Sequence, residues 1–401
     1  METRRFVMTT TFYPPYHIGG DAVHVRILAE ELVKKGHEVH IIHLLDSYYL
    51  KKKIPIEYAE IEKENGVFIH RLKSPWGFLS AIKSYSFGQS YTIINKSKKI
   101  INTIDPDVLH HHNVSGFGPK IFEFKKPFSL YTAHDYWVFC AMNDHMFLGK
   151  KVCQGKSPMC MVCSIARHRP PQFWRYCNKS SMVLNNISTI ITPSQYMANI
   201  FSFYKTTKNI SIIPNFVIQN NCSSEIDDSN FFLFVGLLEP HKGAFDLVKT
   251  YCKILAKTSK NLILIGDGSD KKYIQNYINN HNAQDRIILK GWLNQNEIKP
   301  YYCKARAVII PSKGNENNPL VALESLSCGT PIITSNVGGL PEITSNLNEK
   351  LIFNDYKELI DIILNIDQIQ LNKGRILDIF ENNYSINNYF IKYFSLIDND
   401  Q

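Results

Sequence analysis

The chain has 401 residues, 44% hydrophobic and 20% charged, which excludes a wholly disordered or fibrous polymer and sets an expectation of two domains of about 200 residues each. Its formal charge of +9 is uneven: residues 1 to 215 hold 27 Lys and Arg against 15 Asp and Glu, and the remainder holds 18 against 21. A basic first half points to an anionic partner, whether a membrane surface, a phosphate-bearing substrate or nucleic acid, with simple solubility as the alternative.

The N-terminal stretch METRRFVMTTTFYPPYHIGG has only the short apolar run Phe6 to Met8, so it does not read as a signal peptide. No segment approaches the roughly 18 consecutive apolar residues of a membrane span. A cytoplasmic location is expected, with a peripheral place at the inner face of the plasma membrane left open. In a reducing compartment the nine cysteines should be mostly thiols or metal ligands rather than disulfides.

Residues 5 to 45 read as strand (RFVMTT), loop, helix (AVHVRILAEELVKK), Gly36, strand (EVHIIHLL). Ala22, Val25, Ala29, Leu32 and Val33 recur at helical spacing, and Gly36 sits where a glycine stops a helix. Strand-like runs VFIHRL, DVLHHHN, FSLYTAHD and STIITPS follow, so a parallel sheet covered by helices is expected. A polar stretch near 217 to 230 reads as a linker, after which the pattern restarts: FFLFVG, helix AFDLVKTYCKILAK, NLILIG, RIILKG, helix NEIKPYYCKA, AVIIP, helix PLVALESLS, PIITSN. The expected division is 1–216, 217–380 and a C-terminal helix in 381–401 that packs back on the first domain. Two doubly wound α/β domains are then expected to face each other across a cleft, binding ligands at the carboxyl ends of their strands.

The stretch GNENNPLVALESLSCGTP carries the sharpest chemistry. Asn318 is expected to cap a helix with Pro319 at its first position, leaving the amides of Leu320 and Val321 to meet phosphate at the positive helix end. Glu324 lies inside that helix and Glu316 in the loop before it, together with Asn317. A capped amphipathic helix with two solvated acids is the plain alternative.

Glu316 and Glu324, with AVIIPS before them and SCGTPIITSNVGGLPE after them, resemble the nucleotide-sugar signature of glycosyltransferase family 4, retaining transferases of the GT-B fold. PPYHIGGDAVHVRILAEELVKKGHEVHI resembles the family's first Gly-Gly loop and helix, and FVGLLEPHKG and LIGDG its second-domain loops, so the likeness runs from about residue 5 to 395. It implies that Glu324 binds the donor ribose, that Glu316 holds the sugar near the reacting carbon, and that Lys242 neutralises the leaving diphosphate. Gly19, Gly20, Gly236 and Gly268 are implied donor-loop positions, where a glycine backbone can approach phosphate. His134 matches the position whose imidazole contacts the donor sugar, and Asp135 and His112 are expected to serve the acceptor. One departure stands out: the family has Arg after the glycine of its Gly-Arg-Leu loop, whereas this chain has Leu237. The fork of guanidinium donors is lost, and Lys313 is a candidate replacement.

The implied function is transfer of a sugar from a UDP- or GDP-sugar to a hydroxyl of a glycan or lipid-linked acceptor, with retention, in bacterial surface-polysaccharide assembly. The alternatives are a sugar-nucleotide 2-epimerase of the same fold or a silent nucleotide-sugar-binding subunit. Asp105-Pro-Asp107 mimics a metal motif but precedes a strand, at the wrong end for the cleft, and no catalytic metal is expected. Cys140, Cys153, Cys160 and Cys163, with Cys177 and His168 nearby, fit either a structural zinc or loop thiols. The run from 48 to 100 mixes lysines with aromatic residues, which suits an anionic bilayer or a solvated helix pair, and nucleic-acid recognition motifs are absent.

Overall fold

Most of the apolar runs become buried parallel strands covered on both faces, as continuous Val, Ile, Leu and Phe stretches require, while RIILKG forms a partly buried edge strand. The structure, a computed structural model, describes residues 2–17, 19–52, 58–149, 151–153, 155, 157–176, 184, 186–206, 208–219, 222 and 230–398. Cys177, most of the expected linker and residues 53–57 of the basic run lie outside them.

The first sheet contains β1 (Arg5–Thr9), β2 (Glu38–Leu44), β3 (Ile61–Glu64), β4 (Val67–Leu72), β5 (Val108–His111) and β6 (Phe128–Thr132). A short hairpin, β7 (Met146–Phe147) and β8 (Lys151–Val152), stands apart, and β9 (Thr189–Thr192) and β10 (Asn209–Ile212) complete the sheet. The order is β10-β9-β6-β5-β1-β2-β4-β3, parallel except for β3, which pairs antiparallel with β4 at the edge. Its helices are α1 (Gly20–Lys34), α2 (Leu45–Lys52), α3 (Phe78–Phe87), α4 (Tyr91–Ile104), α5 (Met159–Ala166) and α6 (Gln195–Phe203). In α1 the residues Ala22, Val25, Leu28, Ala29 and Leu32 are fully buried, and Gly36 follows it at φ +89°.

The second sheet has the order β13-β12-β11-β14-β15-β16, all parallel: β11 (Phe231–Val235), β12 (Asn261–Ile265), β13 (Ile287–Gly291), β14 (Ala307–Ile310), β15 (Ile332–Ser335) and β16 (Ile352–Phe353). Its helices include α7 (Ala244–Cys252), α8 (Lys271–Asn280), α9 (Gln295–Lys304) and α10 (Leu320–Ser327). Helix α8 was not anticipated, because its apolar stripe is only Ile274 and Ile278, with Tyr277 beside them.

Contacts divide the chain into two compact units, Met1–Pro193 with Ala198–Ile213 and Phe394–Gln401, and Ser194–Met197 with Pro214–Tyr393. The division passes through the last helix, Ile386–Asp398, in which Tyr389 packs on Phe216 and Phe394 on His37. Cys222 and Cys303 form a disulfide, with Cα atoms 5.6 Å apart, tying the segment before β11 to α9, while the other described cysteines are free thiols. Cys328 is buried as a small core residue.

Candidate functional site

In the second sheet β11 has β12 on one side and β14 on the other, so successive connections leave it in opposite directions. Such a switch point opens a crevice beyond the carboxyl ends of the two strands. The loop after β11 is pressed against its neighbour: Leu238 N donates to Asp267 O, and a Cβ on Gly268 would stand 2.5 Å from Leu238 O. The turn Pro240–Lys242 then ends on Gly243 at φ +75°, and His241 O accepts from the amides of Lys313 and Gly314.

These backbone ties bring Lys242 Nζ to 2.6 Å from Glu316 Oε1, which also accepts from Ser312 Oγ at 2.7 Å. Burial alone would raise the Glu316 pKa, but the Lys242 charge and the two hydrogen bonds outweigh it and hold the carboxyl below its ordinary value. The Val337-Gly338-Gly339 turn closes the far side, with Gly339 N donating to Glu316 O at 2.8 Å. Lys313 pairs with Asp246, and Leu237 is an exposed side chain.

Helix α10 begins as the sequence suggests, but Asn318 is not its cap. Pro319 holds the N-cap position with no side-chain cap bond, while Asn318 Oδ1 accepts from Asn215 N and its carbonyl from Asn215 Nδ2. Asn317 is likewise engaged through its side chain, which accepts from Ser194 Oγ. Both asparagines fix the loop through these bonds. Ala322 N turns back to Pro319 O, while the amides of Leu320 and Val321 have no protein acceptor among the described residues. Glu324, one turn on, accepts from Tyr302 Oη at 2.8 Å through Oε2, and burial raises its pKa despite that bond. Among the described residues, Glu316 Oε2 and Glu324 Oε1 carry no hydrogen bond, so each carboxylate keeps one acceptor oxygen.

In the first sheet the switch lies between β1 and β5. Beyond their carboxyl ends is a cavity of about 490 Å³ whose polar wall includes Thr11, Asp21, Asn113, Ser115, His134 and Asp135. Asn113 Nδ2 donates to Asp21 Oδ2 at 2.7 Å, and Ser115 Oγ to Asn113 Oδ1 at 2.8 Å. Gly19 caps α1 at φ +93°, and Gly20 begins the helix.

His134 sits at this wall on a stack of histidines: its Nε2 is 3.0 Å from His112 Nδ1, and its ring is 5.2 Å from that of His24. Burial lowers the His134 pKa to about 4, with Asp21 opposing, and drives His24, His110 and His112 well below their usual value. The expectation for His112 is corrected: it is 1% exposed and supports His134 from beneath instead of lining the cavity. His111 points the other way, its Nδ1 2.7 Å from Thr9 Oγ1, as strand alternation requires.

Asp135 lines the cavity but is held by its own loop, accepting from Trp137 N and Asn143 Nδ2. Burial and the nearby Asp21 raise its pKa to about 6, against those two hydrogen bonds. A raised acid stabilises the fold below its unfolded pKa, and that contribution is lost as pH rises through about 6. Asp135→Asn is therefore expected to flatten the decline in melting temperature between about pH 4 and 6, leaving the variant the more stable near pH 8. Parallel declines in both proteins would contradict this.

Cys140, Cys153, Cys160 and Cys163 are free thiols, and burial, together with the other three sulfurs nearby, pushes the Cys153 thiol up to about 12. Cys163 Sγ accepts from Leu148 N and Cys140 Sγ from Met142 N. Among the described residues, the one group of three or more potential ligand atoms within 4.8 Å of one another is Cys222, Cys303 and Cys328, two of which share the disulfide. Asp105 and Asp107 are spent at the opposite strand ends, on Lys126 and on Arg5 N.

The family model for Glycosyltransferase Family 4 matches residues 18–219, and that for Glycosyl transferases group 1 matches residues 219–384. The chain belongs to glycosyltransferase family 4. A relative of this family 4 enzyme, an uncharacterized glycosyltransferase of Methanocaldococcus jannaschii, is 29% identical over 385 residues, 92% of this chain and 91% of its own. Among solved structures, sucrose-phosphate synthase from Thermosynechococcus elongatus superposes with a TM-score of 0.72 at 16% identity, covering 99% of this chain and 98% of that one. The Anabaena protein HepE, solved with UDP, gives 0.65 at 13% identity, covering 99% and 100%. The fold is GT-B, and the protein is a transferase.

The sequence reading of this family 4 member missed Ser312, Tyr302, Ser194 and the Gly338-Gly339 turn. Only the glycine pair left a signal, since two glycines between a strand and a helix mark close backbone approach.

Proposed function

We propose that this enzyme transfers a sugar from a UDP- or GDP-sugar to a hydroxyl with retention at the anomeric carbon. The observation that carries the reading is the joint placement of Lys242, Glu316 and the amides of Leu320 and Val321 at the switch point of the second sheet. A diphosphate suits those amides and Lys242. Glu324 Oε1 suits ribose hydroxyls, and Glu316 suits the sugar. As the glycosidic bond to the diphosphate breaks, charge grows on its oxygen, and Lys242 and the helix end stabilise it; the departing phosphate takes the acceptor proton on the same face.

In the first unit the cavity takes the acceptor, beside Asp135. His134, neutral at its wall, offers hydrogen bonding to a sugar hydroxyl without adding charge, and the Gly19-Gly20 turn admits a phosphate to the backbone. Assembly of surface polysaccharide on a glycan or lipid-linked acceptor suits the basic first unit.

A second reading, a nucleotide-sugar-binding subunit without turnover, rests on Leu237 in place of arginine. A screen of UDP- and GDP-sugars read by mass spectrometry separates the two: sugar transfer supports the enzyme, and binding without product supports the subunit. Isomerised donor would instead indicate an epimerase. Within this site, Glu324→Ala is expected to weaken UDP or GDP binding by about tenfold, through loss of a charged acceptor. Unchanged affinity by calorimetry would remove Glu324 from the nucleotide site.

A further inference from the structure

Helix α3 is packed with its polar side inward. Ser80, Ser84 and Ser86 are buried, and Ser80 Oγ lies 2.5 Å from Ser90 Oγ, while Phe78, Leu79, Ile82 and Phe87 are 45%, 52%, 38% and 61% exposed. Trp76, just before the helix, is 70% exposed. Phe87 stacks on Phe173, another exposed ring, at 5.6 Å. A water-facing helix shows the reverse pattern, and a contiguous apolar face of this kind signals an apolar medium outside it.

Charge narrows the choice of medium. From Lys73 to Ile104 the sequence has five lysines and no Asp or Glu. Lys83 and Lys120 both reach the ring of Tyr91. Apolar and aromatic side chains interleaved with lysine match the boundary of an anionic bilayer, where rings sit at headgroup depth and ammonium groups meet phosphates. The same helix borders the acceptor cavity, which Ala81, Ile82 and Tyr85 line together with Leu50.

We propose that the α3 face docks on an anionic phospholipid bilayer and that the acceptor hydroxyl is presented by a lipid-carried molecule at that surface. The second clause rests on the reading of the cavity as the acceptor site. The lipid surface would hold the cavity's apolar border, and the polar wall at Asp21, Asn113 and Ser115 would meet the acceptor's sugar.

The test is flotation of the full-length protein with phosphatidylcholine vesicles, with and without roughly 30% phosphatidylglycerol. The wild type should float with the anionic vesicles and much less with the neutral ones. The exposed double variant Leu79→Asp/Phe87→Asp should be recovered about tenfold less while keeping its circular dichroism and UDP affinity. Equal recovery of wild type and variant, or no recovery of either, overturns the proposal. So does a wild-type dimer in light scattering that the variant abolishes, since a second copy would then own the face. Sugar transfer in the donor screen that persists without flotation overturns the docking alone and leaves the transferase reading standing.

Discussion

Glu316→Ala is expected to cut the rate of sugar transfer by about a hundredfold to a thousandfold, while UDP or GDP affinity stays within about threefold of the wild type. The split follows from position. Glu316 stands in the loop before α10 and is proposed to meet the sugar, whereas the proposed nucleotide contact, Glu324, lies further along the helix. Removing the carboxylate also leaves Lys242 without its 2.6 Å partner, so the cation is free to reorient. Glu316→Gln keeps the shape and the Ser312 contact but not the charge, and should fall nearly as far. Single-turnover kinetics beside calorimetry reads both quantities. A wild-type rate in either variant would remove Glu316 from the chemistry.

The second large effect is structural. Gly338 has φ +60°, and a Cβ there would stand 2.0 Å from Glu316 O. No rotamer relieves a clash with backbone, so Gly338→Ala must push the turn away from the 316–317 strand of the loop. The cost should be about 2–4 kcal/mol of stability in the second unit, combining strain at positive φ with the displaced contact. Transfer should fall with it, because Gly339 N then loses its 2.8 Å bond to Glu316 O. Thermal melts and transfer rates on the same preparation check this. A melting temperature within about 1 °C of the wild type would show that the turn yields easily.

The two sheets were legible because parallel strands buried on both faces write themselves as unbroken apolar runs, as in Phe6 to Met8 and Leu262 to Ile265. Edge and accessory pieces were not. β3 is Ile61–Glu64, fully exposed and half glutamate, and β7 and β8 have two residues each. The site was legible in its charged residues, whose motif spacing survives in sequence, and illegible in what holds them. The bond from Ser312 to Glu316 spans four positions in a loop, and those from Ser194 to Asn317 and Tyr302 to Glu324 join residues distant in sequence. Asn318 misled for a definable reason: asparagine before proline is a good cap locally, but Asn215 offers its side chain a tertiary partner.

The stacked histidines change how an activity profile against pH should be read. Burial holds the pKa of four neighbouring imidazoles, His24, His110, His112 and His134, below the range where histidine ordinarily titrates. The group at this cavity whose pKa burial raises to about 6 is a carboxyl, Asp135. An acidic limb there, which custom would assign to a histidine base, would in this enzyme report the loading of a carboxylate with a proton. Asp135→Asn would erase it, and the imidazole of His134 would have been a neutral hydrogen-bonding group throughout.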